Sequence, residues 1–411
     1  MLRIILGYLS IALVAGLASG CAWGPPPAVE PINDTPKQLR DRQVIVTLGP
    51  ATRARWANVT EDLSSDYDLT KVGAFVLNAL GVQCIVFEIP GERSVPNVIA
   101  ELDADHRVES VQANQVFAGL LQANHSDTYS HLQYGASLVG ARSVHPYRTG
   151  KGVTVAIIDT GADRAHPDLI GQIANTANFV EGGEATFGHD LHGTAVAGVI
   201  GARADNAVGI FGIAPGADIL AVKACWYPQS AASHALCSSW TLAKAVDFII
   251  AKKAHLLNMS LAGPPDPLLA RLLAKARQRG ITVVAAVADS GKFQPGFPAS
   301  MDTVIAAVAT DADGKVEPIE WSSSMNTLAA PGREIVTTVP GGSYDFLSGS
   351  SLAAAHVTGV IALLLEQAPS LSPGDIGALL RSTARITPSR PMGLIDACAA
   401  LTKLTGKPVC I

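Results

Sequence analysis

A chain of 411 residues, 48% hydrophobic and only 16% charged, has the apolar mass for one large domain or for two to three ordinary ones, and is too apolar for a disordered protein. Its formal net charge of −5, with no Lys/Arg cluster, excludes a nucleic-acid partner.

The N-terminus reads MLRIILGYLSIALVAGLASGCAW, with one early basic residue, Arg3, then an apolar stretch ending in small residues. That is the pattern of an export signal, and it is short for a membrane span, although a tilted or uncleaved anchor stays open. The ending LASGC resembles the lipobox of bacterial lipoproteins, with Leu17 one place early. The resemblance makes residues 1–20 the signal and Cys21 the lipidated residue, with Ala22 pointing to the outer membrane. The expectation is a cell-envelope protein anchored to a lipid bilayer, periplasmic or outer-membrane; an ordinary signal peptide with an incidental cysteine would give a secreted one. Residues 21–42, containing GPPPAVEPINDTP, form a Pro-rich linker.

Residues 43–117 predict a small α+β unit. QVIVTLG is a strand, VGAFVLNALG a helix closed by Gly81, QCIVFEIP a strand, VPNVIAELDADHRV a helix and VESVQANQVF a last strand, together a split βαβ sandwich. Residues 118–130 lack periodicity and read as an exposed connection open to cleavage. From residue 131 to 411 the pattern changes. VTVAIIDTG, DILAVKA, HLLNMSLAG, ITVVAAVAD and TVIAAVAT are Val/Ile-rich apolar runs, separated by the helical stretches TAVAGVIGARA, TLAKAVDFIIAKKA and DPLLARLLAKARQRG. Apolar strands alternating with helices predict an α/β fold, a doubly wound, mostly parallel sheet covered on both faces, with ligands at the carboxyl ends of the strands.

Six cysteines fit export. Cys225–Cys237 and Cys398–Cys410 are the economical disulfides, each closing a short loop and adding about 3 kcal/mol by chain entropy. Reduced core thiols are the alternative.

Three stretches carry chemistry. VAIIDTGAD puts Asp159 at the end of a buried strand, DLHGTAVAG puts His192 at the start of a small-residue helix, and SGSSLAAAHVTG puts Ser351 in the first turn of a helix apolar all round. Singly they read equally well as a turn residue, a loop histidine and a helix cap. Together they supply a carboxylate, a base and a nucleophile, the set acyl transfer needs. DTGAD, HGTAVAG, FGIAPGA, NMSLAGP, AAPG and GSSLAAAHVTG, in this order, resemble the blocks of the subtilisin-like serine peptidases over residues 130 to 411. The resemblance implies a serine endopeptidase acting on polypeptides, with Asp159, His192 and Ser351 as triad. It also makes residues 43–117 an inhibitory propeptide that leaves by self-cleavage and takes Cys84 with it, so that the chain is a zymogen.

The resemblance also exposes departures. Ala195 stands where the family has a second histidine, Ser350 for a threonine and Ala355 for a proline. The family ends the AVAD strand with an asparagine that binds the oxyanion; this chain has Asp289 there, and an ionised carboxylate has no proton to donate. The backbone N–H of Ser351 and the Ser350 hydroxyl are the remaining donors. A protonated Asp289 would donate, giving a slow enzyme at neutral pH or an acid-shifted one. The substrate walls correspond to Ser260, Leu261 and Ala262 and to Ala286, Val287 and Ala288, with Gly296 at the pocket floor. Alanines in place of wall glycines at 262 and 288 imply a narrow pocket for small or medium apolar side chains, or else merely pack the strand. No cofactor is required; calcium stays open because Asp168 in HPDL and Asn206 in ADNAVG match positions some relatives use, although exposed turn residues would read the same way. The rival class is a pseudopeptidase, a peptide-binding lipoprotein weakened by Asp289.

Overall fold

The computed structural model describes residues 42–119, 122–124, 132–228, 235–288, 295–316, 326–387 and 390–410. The expected signal, Cys21, most of the expected linker and Asp289 lie outside the described residues.

The first sheet is built from β1 (Gln43–Leu48), β2 (Thr70–Leu77), β3 (Val82–Glu88) and β4 (Ser110–Ala113), in the order β2-β3-β1-β4 with antiparallel pairing throughout. Helices α1 (Trp56–Asp66) and α2 (Val95–Asp103) cover one face. Val44, Val46, Leu48, Ile85 and Phe87 meet Trp56, Leu63, Val98 and Leu102 there. The intervening residues of β1 and β3, Ile45, Cys84 and Val86, point to the other face, and they too are buried.

Two expectations for this unit fail. Residues 72–81 are not a helix: 70–77 are a strand and the chain turns back at once into β3, with Leu77 opposite Val82. Gly81, at φ +71°, donates its N–H to the Leu77 carbonyl at 2.8 Å and closes a hairpin rather than a helix. Apolar residues at 72, 74, 75, 76, 77, 79 and 80 satisfy both periods, and pairing with β3 decides between them. The helix lies upstream, in the polar stretch WANVTEDLSSD. The expected last strand also divides. β4 ends at Ala113, and β5 (Val116–Gly119) leaves this sheet for another.

The large sheet holds, among the described residues, nine strands in the order β19-β20-β16-β15-β14-β12-β7-β9-β8. They are β7 (Thr154–Asp159), β8 (Ile173–Asn178), β9 (Asp218–Lys223), β12 (Leu256–Met259), β14 (Thr282–Ala286), β15 (Ile305–Thr310), β16 (Thr327–Pro331), β19 (Arg385–Thr387) and β20 (Arg390–Leu394). All pair in parallel except β19 with β20. Helices α3 (Tyr134–Leu138), α4 (Ala141–Val144), α5 (Leu191–Gly201), α8 (Ser350–Gln367), α9 (Pro373–Thr383) and α10 (Ala397–Thr405) share one apolar core, while α6 (Ser239–Lys252) and α7 (Pro267–Gln278) pack on the opposite side. This is the doubly wound α/β arrangement that the strand and helix alternation predicts. α8 is buried from Ser350 to Leu365. An apolar sequence without a polar face has nowhere else to go, and it threads the centre of the core.

Two small sheets complete the fold. β5 lies between β11 (Leu236–Ser238) and β13 (Leu261–Ala262), with β10 (Cys225–Trp226) outside β11. β6 (Gln122–Asn124) adds to the hairpin of β17 (Ile335–Val339) and β18 (Ser343–Ser348). The described part of the expected loose connection is therefore strand. Its backbone groups find partners on elements more than a hundred residues away, which no local pattern announces.

The outer face of the first sheet docks on α6 and α7. Ile45, Leu77, Cys84 and Val86 join Trp240, Ala243, Leu269 and Leu273 in one cluster. Phe75 meets the Trp240 ring edge-on, centroids 4.6 Å apart at 79°. The first sheet also satisfies the open starts of both helices. Gln112 Oε1 accepts from Leu268 N–H at 2.8 Å, Asn114 Oδ1 from Trp240 N–H at 3.2 Å, and the Gln115 carbonyl from Ser239 N–H at 2.8 Å. Both disulfides form, Cys225–Cys237 across the β10–β11 hairpin and Cys398–Cys410 tying α10 to the C-terminus, and Cys84 is a buried free thiol.

Candidate active site

Three elements of the large domain converge at the carboxyl end of β7. Asp159 is the last residue of that strand, His192 the second of α5 and Ser351 the second of α8, and all three are buried. His192 Nδ1 lies 2.7 and 2.9 Å from the two oxygens of Asp159, and His192 Nε2 lies 3.1 Å from Ser351 Oγ. With its proton on Nδ1 and held by the carboxylate, the imidazole presents Nε2 as acceptor to the hydroxyl. The three residues are thus joined in one hydrogen-bonded line, the geometry of nucleophile, base and orienting acid.

A polar scaffold behind Ser351 fixes it. Ser260 Oγ donates to the Ser351 carbonyl at 3.0 Å and accepts from Asn258 Nδ2 at 2.9 Å, while Thr358 Oγ1 donates to Asn258 Oδ1 at 2.9 Å. The carbonyl of Ser260 lies 3.3 Å from Ser351 Oγ. On the acid side, Asp159 Oδ1 accepts Thr160 N–H at 2.7 Å, and Thr160 Oγ1 accepts Gly193 N–H at 3.2 Å. Gly193 has no room for a side chain: a Cβ there would sit 1.9 Å from the Gly161 carbonyl oxygen.

The expected substrate walls come together. Ala262 and Gly263 follow β12, and Gly263 exchanges both backbone hydrogen bonds with Phe297 at 2.9 Å, next to Gly296 at φ +83°. Ala288 N–H reaches the Pro295 carbonyl at 3.0 Å, and Val287 N–H the Ala307 carbonyl at 2.9 Å. Ala262, Ala286, Val287 and Ala288 are all buried. The chain itself runs along this cleft. Leu261 faces Gly119 and Ala262 faces Ala118 in antiparallel register, and Leu236 faces Ala118 from the other side. Past the residues flanking Ser351, Gln122 faces Ser348. The chain's own backbone thus pairs as strand with Leu261 and, farther along, with Ser348, as an extended peptide does when it adds to a sheet edge.

Other expected residues sit as follows. Ser350 is buried, and its hydroxyl oxygen accepts Ala309 N–H at 3.2 Å, toward β15. Asp289 follows Ala288 and lies outside the described residues. Asp168 and Asn206 are in contact, but as a hydrogen-bonding set. The fully buried Asp168 carboxylate accepts from Asn206 Nδ2, Ile210 N–H and Tyr344 Oη, each at 2.8 Å. A hard cation needs oxygen ligands, and this carboxylate is ringed by N–H and O–H donors, so the residues present do not fit calcium. Among the described residues no group of three or more His, Cys, Asp or Glu gathers as a metal site.

Sequence reasoning missed two residues beside Asp159 and His192: Lys223 and Asp190. Lys223 ends an apolar strand as Asp159 does, which was the available signal.

Comparison with known proteins agrees with this geometry. A family model described as Peptidase S8, subtilase family, matches residues 150–405. Thermitase of Thermoactinomyces vulgaris is 33% identical over 258 residues, covering 62% of this chain and 89% of thermitase. Subtilisin Savinase of Lederbergia lenta is 35% identical over 274 residues, covering 66% and 98%. In fold, the chain is similar to the crystal structure of fervidolysin from Fervidobacterium pennivorans, a keratinolytic enzyme related to subtilisin, with a TM-score of 0.72 at 22% identity over 89% of this chain and 62% of that one. From strand order, hydrogen-bonded line and sequence alike, the chain belongs to the subtilase family of serine endopeptidases.

Proposed function

We propose that the chain is an exported serine endopeptidase made as a zymogen, in which residues 43–117 form the inhibitory propeptide and residues 116–124 are the first polypeptide the cleft receives. The single observation that carries this is the strand pairing of Gly119 with Leu261 and of Gln122 with Ser348, which brackets Ser351 with the chain's own backbone. In the reaction, Ser351 Oγ attacks the carbonyl carbon as its proton passes to His192 Nε2, and Asp159 stabilises the imidazolium. The imidazolium then protonates the leaving amine, and water, deprotonated by the same imidazole, releases the acyl group. The Ser351 N–H, at the start of α8, is unused by the helix and available to the oxyanion.

Cleavage within residues 118–130 separates propeptide from enzyme. The finer assignments continue from here: Cys21 as a lipidated anchor in the cell envelope, an Asp289 that must be protonated to aid the oxyanion, and a first pocket narrowed by Ala262 and Ala288. The pseudopeptidase reading rests on Asp289 in the sequence. A fluorophosphonate probe tests between them. Labelling that disappears in Ser351→Ala, with a mature N-terminus within residues 118–131 that also disappears in that variant, supports the zymogen; absence of labelling between acid and alkaline pH leaves the binding protein.

A further inference from the structure

A buried ion pair lies beside the triad. Lys223 is completely buried, and its Nζ donates to two groups: the Asp190 carboxylate and the Thr160 carbonyl. A lysine in that position is costly unless its partners are fixed, so the pair adds little to bulk stability. Its partners are the informative part. Thr160 directly follows Asp159; Asp190 stands two residues before His192. Lys223 itself lies opposite Asp159 in the β7–β9 pairing, and Gly183 closes over its stem, where a Cβ would come within 2.8 Å of Cε.

The start of α5 shows what this arrangement replaces. Asp190 is the residue before the helix, where a carboxylate ordinarily caps the open N–H groups of its own first turn. Here it makes no such bond, because it turns to Lys223 instead. One of the open N–H groups is taken by another element: Thr160 Oγ1 accepts from Gly193 N–H at 3.2 Å. The helix start that carries the base is therefore tied across the structure to the strand end that carries the acid and, through Asp190, to Lys223.

We infer that Lys223 and Asp190 are positioning residues that hold His192 in line between Asp159 and Ser351. The inference rests on the triad reading above. Neither forms part of the hydrogen-bonded line; they act through the backbone of residues 160 and 190. Misplacing a catalytic group by about an ångström costs on the order of a hundredfold in rate.

The test uses the full chain and compares the parent with Lys223→Met/Asp190→Asn, which removes both charges together and leaves no orphaned one, and with Thr160→Val, which removes the hydroxyl that joins the end of β7 to the start of α5. Steady-state cleavage of a peptide series, the rate of fluorophosphonate labelling and Tm are measured for each. The expected result is a kcat lower by roughly tenfold or more in the double variant and by about threefold to tenfold in Thr160→Val, with KM within about twofold of the parent. Labelling should slow in parallel. A folded variant with parental kcat, or a loss confined to KM, overturns the inference. If the double variant does not fold, Thr160→Val decides by the same criterion. A parent chain that neither cleaves nor labels overturns the triad reading, and this inference with it.

Discussion

Replacing Phe75 by alanine should loosen the N-terminal unit from α6 without touching the catalytic core. The ring packs edge-on against Trp240 at 4.6 Å. Losing an aromatic pair of that geometry costs about 1 kcal/mol. The ring is half-buried on the docked face, so lost burial adds about another 1 kcal/mol, half the value for a fully buried phenylalanine. A total of about 2 kcal/mol shifts the docking equilibrium roughly thirtyfold. The readout is amide exchange by mass spectrometry on a Ser351→Ala chain, so that the two parts stay joined. The N–H groups of Asn78 and Ala79, which donate to Asp247 at 3.2 and 2.7 Å, report undocking directly. Peptides spanning 70–81 should exchange roughly thirtyfold faster, with α8 unchanged. Val76→Ala, on the exposed face of the same strand, serves as control and should leave exchange as it was. Equal acceleration in α8 would mean global destabilisation, and no acceleration at 70–81 would mean that the Phe75–Trp240 contact does not hold the unit; either refutes the reasoning.

Three further outcomes can be measured on the same chain. His356 is fully buried, with Nδ1 on the Leu352 carbonyl at 2.8 Å, and burial pulls its pKa down to about 4. The unfolded chain then binds the extra proton first, so stability should fall as pH drops from about 6.5 to about 4, by up to about 1.4 kcal/mol per pH unit, and His356→Gln should flatten that slope in urea titrations. Tyr344→Phe removes one of three donors from the buried Asp168 carboxylate and should cost about 1–3 kcal/mol, lowering Tm; added calcium should not restore it, because the site offers donors rather than ligands. Opening Cys398–Cys410 with a pair of alanines should lower unfolding free energy by about 3 kcal/mol, and a loss under about 1 kcal/mol would show that α10 holds the C-terminus by packing alone.

The parallel strands and the rim positions of Asp159, His192 and Ser351 were readable because each is written locally. A Val/Ile run that ends on a polar residue marks the rim of a covered parallel sheet, and Asp159, His192 and Ser351 stand at such rims or at the helix starts beside them. The hairpin at 70–88 was misread because its apolar residues fit two periods, and only pairing with β3 and contact with Trp240 select one. Residues 118, 119 and 122–124 gave no signal, since a strand completed by distant edges needs no pattern of its own beyond an open backbone.

Lys223 and Asp168 show the same limit in opposite directions. A lysine closing an apolar run looks like the strand's exit into solvent, yet its partner Asp190 is thirty-three residues back in the chain, and only the fold reveals that the charge is sealed. Asp168 and Asn206 sit where the family resemblance left calcium open, yet Tyr344 and the Ile210 amide, which that resemblance does not include, supply hydrogen atoms to the same carboxylate. Residue identity specifies what a group is able to do; whether it binds an ion, pairs with a charge or steers a base is decided by which donors the topology brings to it.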